Sequence, residues 1–529
     1  MKNMAKRTAV ILAAVLLLGL LPAPALAVSE VSVEWAVEPT LEFERIGGFS
    51  EGLAMVEGLW EVSESGNRGS RGKCGYIDKN GKVVIPLEYE KVSHFYDGIA
   101  SVSKDGKMGF IDKTGSVVIP LEYDNVFDFS EDLAPVKKDG KWGYIDRSGN
   151  MVIPPEYNDA YNFSESVAMV YKDKKFGFID KNGNFVVPPI YDFVLRFSEG
   201  LAVVSMNGNG KLGYIDETGI VVIQIEYDFA YAFSEGLACV KKDGKWGFID
   251  KNGNIVIPIE YDSADNFKNG SARIRKGAKL GFIDKNGNAV IPVEHDALLF
   301  SEGLAAVQKG YEWGYIDEFD NIIIPFEYAY AGPFKEGIAR VYNIYNRCGF
   351  IDKTGKVIVP LEYDWVSFNE GLAPVKKDGK WGILRLVYSA TPTASTVLVN
   401  GANVAFDAYN INGNNYFKLR DLAYILSGTE KQFEIGWDGA NNSISLTSGE
   451  AYTPVGGEME GKGSGDMSAT PTTSRITLDG KEITLTAYNI GGNNYFRLRD
   501  IGAAFDFGID WDGANNTIVI DTSKSYTPE

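Results

Sequence analysis

Apolar and polar residues alternate in short bursts along most of this chain, and the bursts return in the same order at a period of roughly 34 residues. One unit shows the plan. Leu237-Ala-Cys-Val-Lys-Lys242 runs into Asp243-Gly244, then Lys245-Trp-Gly-Phe-Ile-Asp250, then Asn252-Gly253, then Ile255-Val-Ile-Pro258. Asp-Gly and Asn-Gly are preferred in two-residue hairpin turns because both central residues need positive φ, which Gly adopts without strain and Asn or Asp tolerate. Three short strands joined by two tight turns are therefore expected, and the proline ends the third by removing a ladder donor. Between units, Tyr123, Val126 and Phe129 fall three apart, as do Tyr261, Ala264 and Phe267. That spacing predicts a helical turn or an irregular packed connection. Each unit reads as a three-stranded meander followed by an aromatic connector.

The glycine of the third segment marks the phase: Gly75, Gly109, Gly143, Gly177, Gly213, Gly247, Gly281, Gly314 and Gly349, with a worn last copy at Gly382. Ten units result, spanning residues 33–384. The first is stretched by a Gly/Ser-rich insert from Val62 to Gly72. The fold class is an all-β repeat array, because a chain this long outgrows one globular core and repeats grow without one. Meanders stack into an open β-solenoid or close as a β-propeller. The open form is favoured, since such units are short for four-stranded blades and ten would make a large ring.

These segments resemble the WG (KWG) repeat proteins of bacteria, a resemblance that implies a β-rich repeat with no general activity attached. Trp142, Trp246, Trp313 and Trp381 keep the tryptophan of the name, whereas Cys74, Met108, Phe176, Leu212, Leu280 and Cys348 stand in its place elsewhere. A sugar-stacking platform needs a flat ring, while a packed position needs only apolar bulk, so burial is expected there.

After Leu384 the pattern stops. Residues 385–396 read as a linker, and a second duplication follows: modules at 397–448 and 475–523, separated by a linker at 449–474. Tyr409-Asn-Ile-Asn-Gly-Asn-Asn-Tyr-Phe-Lys-Leu-Arg-Asp421 returns as Tyr488-Asn-Ile-Gly-Gly-Asn-Asn-Tyr-Phe-Arg-Leu-Arg-Asp500, and Trp437-Asp-Gly-Ala-Asn-Asn442 as Trp511-Asp-Gly-Ala-Asn-Asn516. Strand-like stretches flanking a helical candidate at Leu498 to Phe505 predict two small α+β modules. They resemble the copper amine oxidase N-terminal-like, or stalk, domain of exported Gram-positive proteins. The resemblance implies neither copper nor oxidase chemistry. The only histidines, His94 and His295, lie outside the modules, so no three-histidine copper site can be assembled.

Lys2, Lys6 and Arg7 precede the apolar run Ala9 to Leu21, and Ala25-Leu-Ala27 offers the small residues a signal peptidase accepts. Residues 1–27 are thus expected to be a signal peptide. No later stretch is apolar for long enough to span a membrane, so a secreted or cell-surface protein is expected, and the resemblance of the terminal modules implies a Gram-positive bacterium. The formal charge of -19 argues against nucleic-acid binding. Cys74, Cys239 and Cys348, odd in number and far apart, read as small buried hydrophobes.

No catalytic, cofactor or metal residue is assigned. Gly208-Asn-Gly-Lys-Leu-Gly213 satisfies GxGxxG but spans a hairpin turn, with no helix to cradle a pyrophosphate. Asp250-Lys-Asn-Gly-Asn254 imitates the start of a calcium loop with its glycine misplaced. One polar position recurs: Glu51, Asp97, Glu131, Glu165, Glu199, Glu235, Glu302, Glu336 and Glu370, with Asn269 the exception. It reads as a turn residue capping backbone amides, with a cation or basic-ligand ladder as the other reading. Glu131, Glu165, Glu199 and Glu235, together with Trp437 and Trp511, are the candidate ligand-binding residues. The function expected is a non-catalytic binding or scaffold protein of the cell envelope, presenting an extended surface to a wall polysaccharide or surface protein. The alternative is a polysaccharide-acting enzyme or enzyme accessory using an acidic groove.

Overall fold

The computed structural model describes residues 31–527 apart from 61–71, 209, 269, 296, 318, 440–441, 462–464 and 473. The expected signal peptide and most of the insert after Val62 lie outside the described residues.

Nine antiparallel sheets of four strands follow one another between Arg45 and Tyr363. A representative unit contains Asn125–Val126, Leu133–Lys138, Lys141–Asp146 and Met151–Tyr157, paired in that order. The connector is therefore the first strand of the next sheet, which corrects the three-stranded plan. Its misleading spacing comes from a bulge. In Asp159–Ser164, Ala160 faces Val170 and Phe163 faces Ala168, with the register shifting between them. A bulge brings residues three apart onto one face, as a helix would. The last strand of each unit is an edge, where a proline costs no ladder bond.

The recurrent glycine answers a close approach. Trp142 lies opposite Tyr157 and Tyr144 opposite Ile153, so the last strand buckles across Gly143. A Cβ at Gly143 would stand 2.4 Å from the Ile153 carbonyl oxygen. Gly143→Ala is expected to cost about 1–3 kcal/mol through overpacking against backbone that cannot yield. The measurement is a chemical melt beside Gly461→Ala, whose new methyl meets nothing and whose backbone is not left-handed. Equal losses in the two variants would refute the close-approach account.

The apolar cores lie between units. Trp142, Tyr144 and Ile153 of one unit form a cluster with Ala160, Phe163 and Val170 of the next. The Tyr144 hydroxyl donates across the same boundary to the Tyr161 carbonyl at 2.8 Å. Trp142, Trp313 and Trp381 are buried while Trp246 is half-buried, and Cys74, Cys239 and Cys348 are buried thiols.

The tenth unit supplies only three strands from its own stretch: Trp365–Val366, Leu372–Lys377 and Lys380–Pro392. Its fourth is the N-terminal strand Val31–Leu41, antiparallel to Lys380–Pro392, with Val31 opposite Tyr388 and Leu41 opposite Trp381. Leu372, Trp381 and Ile383 of this unit pack against Ile46, Phe49 and Ala54 of the first.

Lys380–Pro392 is 13 residues long and continues into the C-terminal region, so most of the expected 385–396 linker is strand. Met467–Pro471, inside the other expected linker, is strand as well. Lys380–Pro392 pairs with Ala408–Ile411 on one side and Met467–Pro471 on the other. From these the pairing runs through Asn414–Lys418, Asn493–Arg497 and Ala487–Ile490 until the six strands close on themselves. Tyr388, Tyr409, Tyr488 and Tyr495 fill the interior, and this core is continuous with that of the last repeat unit through Leu384 and Leu386.

The two halves of the duplication interlock. Thr396–Val399 of the first lies parallel to Thr517–Asp521 of the second, and Ser443–Ser448 of the first parallel to Arg475–Leu478 of the second. Each half adds one helix, Leu419–Leu426 and Leu498–Phe505, packed on a shared core. They form one body and not two modules on a linker. Among the described residues no helix is long and apolar enough to cross a membrane.

Candidate functional site

The recurrent carboxylates sit in two-residue turns: Glu199 has φ 55° and Gly200 φ 82°, and the same pair of conformations recurs at Glu235 and Gly236. Their side chains leave the turn and reach the next unit. Glu165 accepts from the backbone N–H groups of Glu199 and Gly200 at 2.7 and 2.9 Å. Glu302 accepts from those of Glu336 and Gly337 at 2.6 and 3.0 Å. Glu131, Glu199 and Glu235 reach Ser166, Gly236 and Gly270 at 3.1, 3.1 and 3.0 Å. A lysine from that next unit commonly completes the joint: Lys181 to Glu131 at 3.2 Å, Lys251 to Glu199 at 3.2 Å, Lys285 to Glu235 at 3.1 Å. The preceding serine takes part too, Ser130 Oγ donating to the Phe163 carbonyl at 2.8 Å. The motif Phe-Ser-Glu-Gly is thus an inter-unit clasp of charge-assisted bonds. These carboxylates cap amides of the neighbouring turn, where the sequence pointed to amides of their own. Glu131, Glu165, Glu199 and Glu235 are accordingly distributed along the array, and none of them lines a cavity with Trp437.

The last unit holds the first by the same clasp. Glu370 accepts from the N–H groups of Glu51 and Gly52 at 2.6 and 3.0 Å, and Asn369 Nδ2 donates to the Phe49 carbonyl at 2.5 Å. Here the C-terminal region covers the turns. Tyr388 donates to the Glu336 carbonyl at 3.3 Å, Pro471 packs on Gly371, and Arg475 forms an ion pair with Asp97. Burial pushes the Glu336 and Glu370 carboxyls above the usual range.

Where the two bodies meet lies a cleft of about 900 Å³. The array contributes Lys79, Glu370 and Arg385, and the C-terminal region contributes Lys418, Arg420 and Trp437 together with the polar hairpin Asn489 to Asn494. Trp437 is 59% exposed, a flat ring open to the cleft. Arg420 donates to Asn493 Oδ1 at 3.3 Å, Thr472 Oγ1 to Asn494 Oδ1 at 3.2 Å, and Ser474 Oγ to Asn442 Oδ1 at 3.1 Å. The Asn493 Nδ2 atom is buried with no hydrogen-bond partner. Trp511, 48% exposed, occupies the corresponding place in the second half and does not line this cleft. The two predicted tryptophans are therefore separated by the internal duplication.

Among the described residues the cleft has one acidic side chain, Glu370, which is already held by two backbone amides. What remains among the described residues is amides, hydroxyls, cations and an aromatic face. Sequence reasoning missed Lys79, Arg420 and the asparagines. The signal is the twice-repeated Asn-Asn-Tyr-Phe hairpin, whose asparagines mark polar lining as well as a duplication.

An array of four-stranded units clasped turn to turn defines a β-rich repeat protein. The WG-containing repeat family matches residues 34–57, 75–107, 108–142, 142–176, 176–209, 213–246, 246–279, 281–313, 313–343 and 349–381, and the chain belongs to that family. No curated protein matches it. Among solved structures, similarity is found to a crystal structure of the eukaryotic initiation factor at 11% identity, covering 63% of this chain and 97% of that one with a TM-score of 0.38. The computationally designed Ika8 protein is similar at 15% identity, covering 56% and 95%, with a TM-score of 0.29. BamB from Moraxella catarrhalis is similar at 12% identity, covering 56% and 93%, with a TM-score of 0.28. Likenesses this distant identify no function.

Proposed function

We propose that this is an exported, non-catalytic binding protein of the cell envelope, which takes a wall polysaccharide in the cleft between its repeat array and its C-terminal body. The reading includes two structural parts. The array is a closed ten-bladed β-propeller, supported by the N-terminal strand completing the last unit and by the Glu370 clasp, against the open solenoid favoured from the sequence. The C-terminal body is a pair of copper amine oxidase N-terminal-like domains, supported by the duplicated motifs and serving as the cap that completes the site.

The observation that carries the function is the composition of the cleft: an exposed Trp437 beside a row of asparagine amides and hydroxyls, on a rigid frame. An aromatic face with convergent hydrogen-bonding groups suits a sugar ring, whose one side is apolar and whose rim is hydroxyl. Isothermal titration with soluble wall polysaccharide is expected to show binding that Trp437→Ala weakens about tenfold, near 1.4 kcal/mol, while Trp511→Ala leaves it unchanged. Failure of every wall fraction to bind, or indifference to Trp437→Ala, would sink the proposal.

A further inference from the structure

We infer that the cleft selects an anionic glycan, reading its carboxylate or phosphate group with Lys79 and Arg420; the inference rests on the glycan-binding reading above. The first observation is charge of the wrong sign. The chain carries -19 overall, yet its cleft is lined by Lys79, Arg385, Lys418 and Arg420 against Glu370 alone.

Two of the four cations are already matched. Lys418 is paired with Asp421 at 3.3 Å, and Arg385 with Glu34 at 3.1 Å. Glu370 has its two oxygens on the amides of Glu51 and Gly52. Lys79 and Arg420 remain, and among the described residues neither has a carboxylate within ion-pair distance.

Lys79 departs from a pattern that Lys113, Lys181, Lys251, Lys285 and Lys353 keep. The lysine after the second-turn aspartate reaches back to the clasp glutamate of the preceding unit, as Lys113 does to Glu51 at 2.8 Å and Lys353 to Glu302 at 3.2 Å. By that rule Lys79 belongs to Glu370. It makes no such pair and lines the cleft instead. The Glu370 carboxylate at this boundary is held by backbone amides without a lysine, which leaves the ammonium for a ligand.

Arg420 is held for the same task from the other wall. One guanidinium nitrogen is fixed on Asn493 Oδ1, and the remaining N–H donors are open for bidentate contact with a planar or tetrahedral oxyanion. Asn493 Nδ2, buried and unpartnered beside it, is a further donor lacking an acceptor. Lys79 on one wall, and the remaining Arg420 N–H groups with Asn493 Nδ2 on the other, are donors not matched by an acceptor, which suits an acceptor-rich ligand. Uronic acids and phosphodiester-linked polyols present this chemistry on a polymer.

The test is titration of the full chain with three soluble probes: a polyuronate, a polyol-phosphate polymer and a neutral glucan of similar length. The expected result is at least tenfold tighter binding of one anionic probe than of the glucan, weakening as salt is raised. Which anionic probe is preferred identifies carboxylate or phosphate as the group read. Lys79→Ala and Arg420→Gln are expected to erase the preference while melting like the parent, and Lys113→Ala to leave it intact. Equal binding of all three probes, indifferent to Lys79→Ala and Arg420→Gln, would overturn the inference and leave glycan binding standing. Absence of binding to all three would remove the glycan reading and this inference with it.

Discussion

Deleting Val31–Leu41 is expected to abolish the single cooperative melt of the protein and to increase its radius of gyration. The strand supplies the missing quarter of the last sheet, and nothing else in the tenth unit's own stretch replaces it. It runs along Lys380–Pro392 from Tyr388 to Trp381, with Val31 buried and Trp35 set edge-on to Tyr363 at 6.4 Å between ring centroids. Val37 and Leu41 pack into the cluster that joins the first and last units. Val31 is buried and Val33, Trp35, Val37 and Leu41 are half-buried; full burial of one such side chain contributes about 1.5–3 kcal/mol, so together they supply a few kcal/mol, a large part of the 5–15 kcal/mol that holds a typical domain together. In a stacked array, losing one interface frays the ends; in a ring, it opens the ring. Small-angle scattering and calorimetry of the deleted and intact chains decide the matter. An unchanged radius and an unchanged melt would mean that the strand closes nothing. Glu370→Ala removes only the clasp at that same boundary and is expected to lower the melt far less.

Much of the array could be read from local rules, because turns and tight contacts leave local marks. Asp243-Gly244 demanded a positive-φ turn wherever it stood, and the recurrent Gly143-type glycine marked the crossing of two backbones. The fourth strand escaped because Ala160 and Phe163 are brought to one face by a bulge, and a bulge has the same spacing as a helical turn. The pairing of the first strand with the last unit escaped for a different reason. Val31, Val33, Trp35 and Val37 alternate as a strand should, but nothing in a two-residue period says whether the partner lies in the next hairpin or at Lys380–Pro392. The interlocking of the C-terminal halves follows the same logic, since each half carries nearly the same sequence and satisfies its edges equally well within itself or across. The cleft combines both difficulties. Lys79, Arg420 and Asn493 come from three distant stretches, and each is ordinary in its own. Lys79 becomes informative only when Lys113 and Lys353 are seen paired and it is not.

Lys418→Met is expected to destabilise the C-terminal body by about 3–5 kcal/mol, the usual loss when one partner of a buried ion pair is removed. The Lys418 and Asp421 side chains are 4% and 0% exposed and 3.3 Å apart. Lys418 Nζ also donates to the Gly457 carbonyl at 2.5 Å, and Asp421 Oδ1 accepts the Met459 amide at 2.9 Å, so the pair pins the segment after Tyr452 onto the helix Leu419–Leu426. Asp421 Oδ2 has no hydrogen-bond partner, so the charge is compensated through Oδ1, by the Met459 amide and the Lys418 ammonium. Burial pushes the Asp421 carboxyl above the usual range, while the Met459 amide and the Lys418 ammonium pull the other way. Without the ammonium the upward push prevails. A carboxyl whose folded value lies above its unfolded value of about 3.9 stabilises below that value and loses its contribution as pH rises through the folded one. The deficit of Lys418→Met, read from denaturant melts, is therefore expected to be larger at pH 8 than at pH 5. Lys418→Met combined with Asp421→Leu is expected to recover much of the loss, since no unpaired charge then remains in the core. The second half of the duplication supplies the comparison. Arg497 and Asp500 hold the corresponding positions at 38% and 14% exposure, where water screens the charge left behind, so Arg497→Met is expected to cost less and to show a weaker dependence on pH. Similar losses for Lys418→Met and Arg497→Met at both pH values would show that burial does not set the strength of these pairs. Because Lys418 forms part of the cleft, the same substitution ties the stability of the cap to the shape of the site it completes.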